Sequence, residues 1–468
     1  MNMVSNESLE WAQLIFSKAK LNDPRRTKRL VKIAASLASN AGKSLMSSCP
    51  DPASIEGAYR FIRNDNISAD DIAQAGFAHT DTIVKERPLV LALQDTTGLS
   101  YKHSVCDELG EVNSASDEKR SSKGRTLYAH STLMLDANEE KAIGLAYQHY
   151  WYREKKQTGK QNTLQCRDRE LKESYKWQNN VEEVKERLGD LSNVIDVCDR
   201  EADMYEYLDY QIQNEHRFIV RAKDNRRLVG EYHKLEDILP TLTPAGQYEI
   251  DIQQRGGRKA RTAHIDVSFT SIKLKKPQRA KGEKEAPLTL VVCTEQNNDN
   301  KSKLQWLLYT TESVTNAVEA RKIARYYELR WRIEEFHKVW KTEGTEVEKL
   351  RMQHLDNLKK AAVIEAFIAV RLLQLRELAQ NREEAEKVSC EVYLDTLSWK
   401  LLFKATNQKA PMPKEAPSLK WAYYAIAKLG GWHDSKRTGR VGTKAMWDGW
   451  VKLVFLVESY AFMKELDL

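Results

Sequence analysis

Leu89-Val-Leu-Ala-Leu-Gln-Asp95-Thr-Thr is an apolar run that stops at an aspartate followed by hydroxyls, and Asn193-Val-Ile-Asp-Val-Cys-Asp199-Arg-Glu does much the same further on. Short apolar runs bounded by polar residues predict buried strands. Each aspartate is therefore expected at a strand end. Open sheets flanked by helices carry their chemistry at the carboxyl ends of strands, so the two runs predict an α/β fold whose acids face a common site. Two aspartates and one further carboxylate make a plausible divalent-metal site.

A helix supplies the third acid. Tyr327-Tyr-Glu-Leu-Arg-Trp-Arg-Ile-Glu-Glu-Phe-His-Lys-Val-Trp-Lys341 follows Ala317 to Arg325 without a proline or glycine, which predicts one continuous helix. At about 100° per residue, Tyr327, Arg330, Glu334, Lys338 and Lys341 fall within roughly 80° of one another. Taken alone, such a face is explained by solvation and a Glu334–Lys338 pair. Beside two strand-end aspartates, it reads instead as a carboxylate flanked by groups that grip phosphates.

The 468 residues, 41% of them hydrophobic, are enough for two to four modules. The longest apolar stretch, Ala361 to Leu373, is interrupted by Glu365 and Arg371 and is too short to cross a bilayer. Met1 to Glu7 lacks the basic and apolar regions of a signal peptide, so a cytoplasmic protein without membrane partners is expected. The six cysteines are scattered, which argues against zinc and against a disulfide framework. A net charge of +7 permits a polyanionic partner, and its distribution says more. Lys18 to Lys32 holds seven basic residues and one acid, and Gln253 to Lys284 holds ten against Asp266 and Glu283.

At the N-terminus, Glu7 to Leu21 has helical periodicity, and a second helix is expected where Asp23 caps and Pro24 enters the first turn. Arg25, Arg29 and Lys32 share a face of that helix with Arg26 beside it, suited to a major groove or to phosphates. Leu127 to Leu135 and Ala142 to Trp151 join the first strand in a meander, and Phe218 to Arg221 adds a strand after Asp199. Alternating segments at Tyr248 to Gln253, His264 to Phe269 and Leu288 to Cys293 predict a β module inserted at about 224–303. Its basic loops favour DNA backbone over mere solvation. Trp306-Leu-Leu-Tyr-Thr returns to the core sheet, and Ala410 to Pro417, with three prolines, marks a linker before two aromatic helices.

Asp95, Asp199 and Glu334, with the spacing Tyr327-x2-Arg330-x3-Glu334-x6-Lys341, resemble the acidic triad and Tyr-Arg-Glu-Lys signature of the insertion-sequence-four family of bacterial transposases. Asp23-Pro-Arg-Arg, Gly57-Ala-Tyr-Arg-Phe-Ile-Arg-Asn64 and Val197-Cys-Asp-Arg-Glu-Ala-Asp203 extend the resemblance nearly end to end. It is weakest around 104–125, 155–190 and 225–300. The resemblance implies a ribonuclease-H-like catalytic core at 70–378 with the inserted β module, an N-terminal helical DNA-binding module at 1–69, and a C-terminal helical dimerisation region at 379–468. It implies cut-and-paste transposition through a hairpin intermediate, with two Mg2+ ions per site, Mn2+ able to substitute, and Asp95, Asp199 and Glu334 as ligands. Transposon-end DNA, target DNA and a second copy of the chain are the expected partners. Candidate DNA contacts are Arg25, Arg26, Arg29, Arg60, Arg221, Lys223, Trp306, Tyr327, Arg330, Lys338 and Lys341. A non-catalytic DNA-binding derivative and a stand-alone metal-dependent nuclease are the competing readings.

Overall fold

The computed structural model describes residues 6–109, 125–153, 172–252, 261–296, 303–380, 382–392, 394–407, 409–433, 435 and 441–466. Four helices longer than a single turn open the chain: α1 (Asn6–Phe16), α2 (Pro24–Ser39), α3 (Pro52–Ile62) and α4 (Ala69–Glu86). Asp23 caps α2 by accepting from the Arg25 backbone N–H at 2.8 Å, with Pro24 in the first turn as the sequence predicts. Ser68 and Asp71 form a reciprocal capping box at the start of α4, which satisfies two otherwise orphaned backbone donors.

The described strands are β1 (Val90–Tyr101), β2 (Arg125–Asp136), β3 (Ala142–Trp151), β4 (Val194–Cys198), β5 (Arg217–Arg221), β6 (Gly246–Ile252), β7 (Arg261–Lys275), β8 (Glu285–Glu295) and β9 (Gln305–Thr310). They form one sheet in the order β3-β2-β1-β4-β5-β9-β8-β7-β6. The first three are an antiparallel meander, and β4 and β5 join it in parallel. This α/β arrangement fits a ribonuclease-H-like core. The segment expected as an inserted module does not stand apart: β9 pairs with β5 on one side and β8 on the other, so β6 to β8 lengthen the core sheet. Residues 253–260, part of its basic stretch, lie outside the described residues.

Expectations for the two elements that carry Asp95 and Glu334 change as well. Asp95 is not at a strand end, because β1 stays paired with β2 through Tyr101; only its parallel ladder with β4 stops early, at Leu93 opposite Val197. The long helix is also divided, into α7 (Ala317–Leu329) and α8 (Trp331–Lys338), followed by a π-helical turn at Val339–Glu343. At the division the backbone tightens into two i to i+3 bonds, Arg330 N–H to Tyr327 O and Ile333 N–H to Arg330 O.

Helices α5 (Lys176–Leu188) and α6 (Tyr205–Gln213) cover one sheet face, while α7, α8 and α9 (Leu355–Gln380) cover the other. The sequence of α9 carries buried charges for a reason. Lys360 Nζ donates to the Ile62 and Asn64 carbonyls at 3.1 and 2.9 Å, and Arg371 donates to Ser8 Oγ at 3.1 Å. Between them Phe367 meets Phe16 edge-on and Phe77 at a tilt. Gly76 has no side chain there because a Cβ would stand 2.3 Å from the Phe367 ring. One continuous apolar core therefore runs from α1 and α2 into the sheet, so the N-terminal helices are built onto the sheet and share its interior.

The C-terminal helices α10 (Thr396–Thr406), α11 (Leu419–Leu429) and α12 (Thr443–Glu465) share a smaller core. The proline-bearing stretch is tied in: Cys390 N–H donates to Pro417 O, and Leu419 N–H to Val388 O. It is an internal connection of this helical unit instead of a free linker. Helices α11 and α12 meet through Gly430 and Gly449, where an added Cβ would come within 1.8 Å of Ala445 O and Ile426 O respectively. The far side of α12 leaves Phe455 and Phe462 exposed.

His216, just before β5, is buried with Nδ1 donating to Gln211 Oε1 at 2.8 Å and Nε2 facing Lys185 Nζ at 3.1 Å. Burial and the Lys185 charge lower its pKa to about 4. A histidine whose folded pKa is depressed stabilises the fold above its ordinary value, and that stability is lost as pH falls from about 6.5 toward 4. His216→Gln, which retains an amide for the Gln211 contact, is expected to flatten the fall of melting temperature across that window, as measured by thermal melts at stepped pH.

Candidate active site

Side-chain alternation places Asp95 on the same sheet face as Leu91 and Leu93, and Asp199 follows Val197 on that face of the adjacent parallel strand. Each acid stands two residues past the last ladder pair, Leu93 opposite Val197, so the two come from matched positions on neighbouring strands. Asp199 also caps the short turn Arg200–Ala202 by accepting from Glu201 N–H at 2.8 Å, which fixes its rotamer. Glu334 approaches from α8.

Arg330 joins them. Its Nη2 donates to Glu334 Oε1 at 2.6 Å, and its Nη1 lies 4.0 Å from Asp95 Oδ1. Burial would lower the Arg330 pKa, but the Tyr327 phenol oxygen and the Asp95 and Glu334 carboxylates reverse that effect and raise it. Asp199 feels the opposite balance: burial and the Asp95 charge raise it, with Arg330 pulling the other way. For Asp95, burial is outweighed by His337 and Arg330, which hold its carboxyl below the ordinary value. Among the described residues, no three acidic, histidine or cysteine side chains converge closely enough to hold a metal ion in this arrangement. The acids converge on a guanidinium.

The tightened backbone at Arg330 and the π-helical turn replace the single fan expected of an ideal helix. Tyr327 is buried, with its ring edge against Trp306 at 5.5 Å between centroids. Trp306, second in β9, is half-buried and packs on the same core as α7 and α8. Lys338 is exposed. The π-helical turn, anchored by buried Trp340 donating to Ala362 O, turns Lys341 toward β1, where its Nζ donates to Gly98 O at 2.6 Å and lies 3.5 Å from Glu348. Glu348 also accepts from Ser100 N–H at 2.8 Å, so the helix end and strand β1 are clamped together. Glu335, the neighbouring acid, points to Arg332 and Arg376 instead.

The remaining candidates divide by accessibility. Arg25 is exposed beside its own cap Asp23, and Arg60 is exposed beside Glu56, on the rim of a cleft of about 510 Å³ that also includes Tyr59 and Arg63. Arg29 lies across Gly57, where any side chain would collide with its guanidinium. Arg26 has a structural task the sequence did not reveal: its Nη1 donates to Leu21 O at 3.0 Å, closing the turn before α2. Arg221 donates to Gln305 O, joining β5 to β9. Lys223 is exposed on a loop tethered by the Arg226–Asp203 pair.

His337 was missed. Its Nδ1 lies 3.4 Å from Asp95 Oδ2, while its Nε2 is buried with no hydrogen-bond partner. Its spacing of three from Glu334 on a helix was the available signal.

Residues 8–67 match the family profile described as Transposase DNA-binding, and residues 136–371, half the chain, match the one described as Transposase DDE domain. The chain belongs to the DDE transposases, enzymes that cleave and transfer DNA with divalent metal ions. The DDE match spans Asp199 and Glu334 and begins after Asp95. Among solved structures, a piggyBac transposase in a synaptic complex with hairpin DNA is similar at a TM-score of 0.35 and 12% identity, over 88% of this chain and 74% of that one. No described helix is long and apolar enough to cross a membrane.

Asp95, Asp199 and Glu334 offer only oxygen donors, the set that hard divalent cations take, and the buried Arg330 Nη1 lacks an acceptor. The donor chemistry suits such an ion, although in this arrangement the three side chains stand too far apart to share one. His337→Ala is expected to slow DNA nicking by about tenfold, the usual cost of removing a group that orients a metal-binding carboxylate. Single-turnover nicking with saturating protein measures it, and an unchanged rate would return His337 to a packing role.

Proposed function

We propose that this chain is a cut-and-paste DNA transposase of the insertion-sequence-four type, with motifs resembling those of the transposon-five transposase. It binds transposon ends, nicks them, releases them through hairpins, and joins the 3′-hydroxyl ends to target DNA. The observation that carries this reading is Arg330 held between Asp95 and Glu334, with Asp199 on the adjoining strand. A buried cation amid three acids is a resting arrangement for a site that meets phosphate: a phosphodiester can take over the guanidinium through a charge-assisted bond. That exchange would leave the three carboxylates facing one another.

Asp95, Asp199 and Glu334 would hold two Mg2+ ions, or Mn2+ in their place, which when bound supply an activated water or 3′-hydroxyl and stabilise the leaving oxygen. The protein's own groups do the rest. Arg330 and the exposed Lys338 grip the phosphates beside the scissile bond, and Lys341, held on Gly98 O, fixes the helix end against β1. Tyr327 supports Trp306, whose half-buried indole can receive a base extruded when the strand bends into a hairpin. Arg25 and Arg29 on α2, with Arg60 on α3, address the end sequence; Arg221 and Lys223 flank the entry to the extended sheet. The C-terminal helices support a homodimer in the DNA complex.

Glu334→Gln is expected to abolish cleavage while end binding, read by mobility shift, stays within a few-fold, because this carboxylate serves the metal more than the phosphate. Retained cleavage would move the site elsewhere and favour a different acid. A protein that binds ends but never joins them would be the non-catalytic derivative, and one that cuts without joining would be a nuclease. Trp306→Ala is expected to slow hairpin formation more than the first nick, since only the hairpin needs an unstacked base; equal slowing of both steps in a time course would leave Trp306 a packing role.

A further inference from the structure

The chemistry described so far uses one face of β1 and β4. The opposite face at the same level carries polar side chains that an ordinary core would not bury: Gln94 and His130 are wholly buried and Asp196 is 5% exposed. Leaving such groups unpaired costs free energy, and here each is paired. Gln94 Nε2 donates to Asp196 Oδ1 at 2.7 Å, and Gln94 Oε1 accepts from His130 Nε2 at 3.0 Å. His130 Nδ1 then accepts from Thr96 Oγ1 at 2.9 Å. Tyr207 OH and Gln211 Nε2 donate to the other Asp196 oxygen. The donor directions are fixed throughout, because a carboxylate can only accept and so sets the amide of Gln94, which sets the tautomer of His130.

The place of this network matters more than its composition. The backbone ladder between β1 and β4 ends at Leu93 opposite Val197. Gln94 to Asp196 is a side-chain link across these strands at the point where the ladder gives out. Asp95 is the next residue on β1, and Asp199 lies three residues past Asp196 on β4. The link ties Gln94, the first β1 residue past the ladder, back to Asp196, which is still inside it opposite Ala92, and so braces the strands at the ladder's end. Burial pushes the Asp196 carboxyl up to about 6 despite its donors. With a folded pKa above the unfolded one, stability is lost as pH rises through that value, so the charged network is kept at neutral pH at a cost to the fold.

We propose that the Gln94–Asp196 clasp, oriented by His130 and Thr96, is a positioning device that sets the separation of the Asp95 and Asp199 carboxylates. Gln94, Asp196 and His130 are thus positioning residues for metal binding. This rests on the reading of Asp95 and Asp199 as metal ligands.

Mn2+ binding to the full-length protein with saturating duplex DNA, whose phosphates free the acids from Arg330, tests it alongside thermal melts; it is followed by electron paramagnetic resonance with the Mn2+ held by the DNA alone subtracted. Gln94→Glu sets two carboxylates against each other and is expected to weaken Mn2+ binding by about tenfold or more, as removal of orienting partners does. The double variant Gln94→Glu with Asp196→Asn reverses the pair without changing its length: the new carboxylate accepts from His130 and from the asparagine amide. It is expected to restore Mn2+ affinity to near wild type. Gln94→Glu that melts lower but binds Mn2+ normally, or a double variant that regains its melting temperature without its Mn2+ affinity, would overturn the proposal. Should Gln94→Glu fail to fold, Gln94→Met keeps the volume and removes both bonds, and its Mn2+ affinity decides in the same way. Asp95→Asn and Asp199→Asn are the controls. If neither changes Mn2+ binding, the reading of the site fails and takes the clasp with it; if both do and the Gln94 variants do not, the clasp alone fails.

Discussion

Carboxylates brought to one place repel, and the architecture around them is an answer to that repulsion. Two unit charges on adjacent strands, about 5 Å apart, oppose each other by roughly 3 kcal/mol at an effective dielectric of about 20. Asp95 and Asp199 carry this cost by construction, since they stand at matched positions on β1 and β4. Arg330 offsets it from the helix side, reaching Glu334 directly and Asp95 at 4.0 Å. The tightened backbone at Arg330 sits at the residue whose side chain enters the acidic site, and the π-helical turn that follows clamps Lys341 to Gly98. Departures from ideal helix geometry at a functional site are expected where a side chain must be aimed.

The chain showed its local features plainly and its long-range ones poorly. Asp23 and Pro24 marked the start of α2 because capping is settled within a few residues. Asp199 was legible at the end of β4 for the same reason: the strand stops there on every side. Asp95 looked identical in sequence, yet β1 runs on through Tyr101, because the length of a strand depends on its partner and β2 is long. Nor could composition reveal that β6 to β8 share the core sheet, which is decided by the pairing of β9 with both β5 and β8.

Within the site, the residues with charge at helical spacing were readable and the buried helpers were not. Glu334 and Arg330 stood out because a helix face crowded with ions asks for an explanation. His337 sits in an aromatic stretch between Phe336 and Trp340 and reads as core. Gln94 is hidden inside an apolar run, where one polar residue resembles noise until its partners on β2 and β4 are known. Arg26 was readable only as a charge on a helix face, and its bond to the Leu21 carbonyl was not, because that contact depends on how the chain enters α2.

Helix α9 has a consequence for the DNA. Lys360 and Arg371 fasten it to the N-terminal helices, Phe367 fills the gap between them, and the same helix backs the catalytic core. The part of the chain matching a transposase DNA-binding family is thereby joined through one continuous apolar core to the elements that carry the acids. Two sites joined in this way keep a set separation. On a duplex with about ten base pairs per turn, each added pair between a gripped sequence and a scissile bond rotates that bond by roughly 35° around the axis. A tether could absorb such a rotation and a shared core could not, so on the proposed reading the fold would act as a gauge of both distance and helical phase.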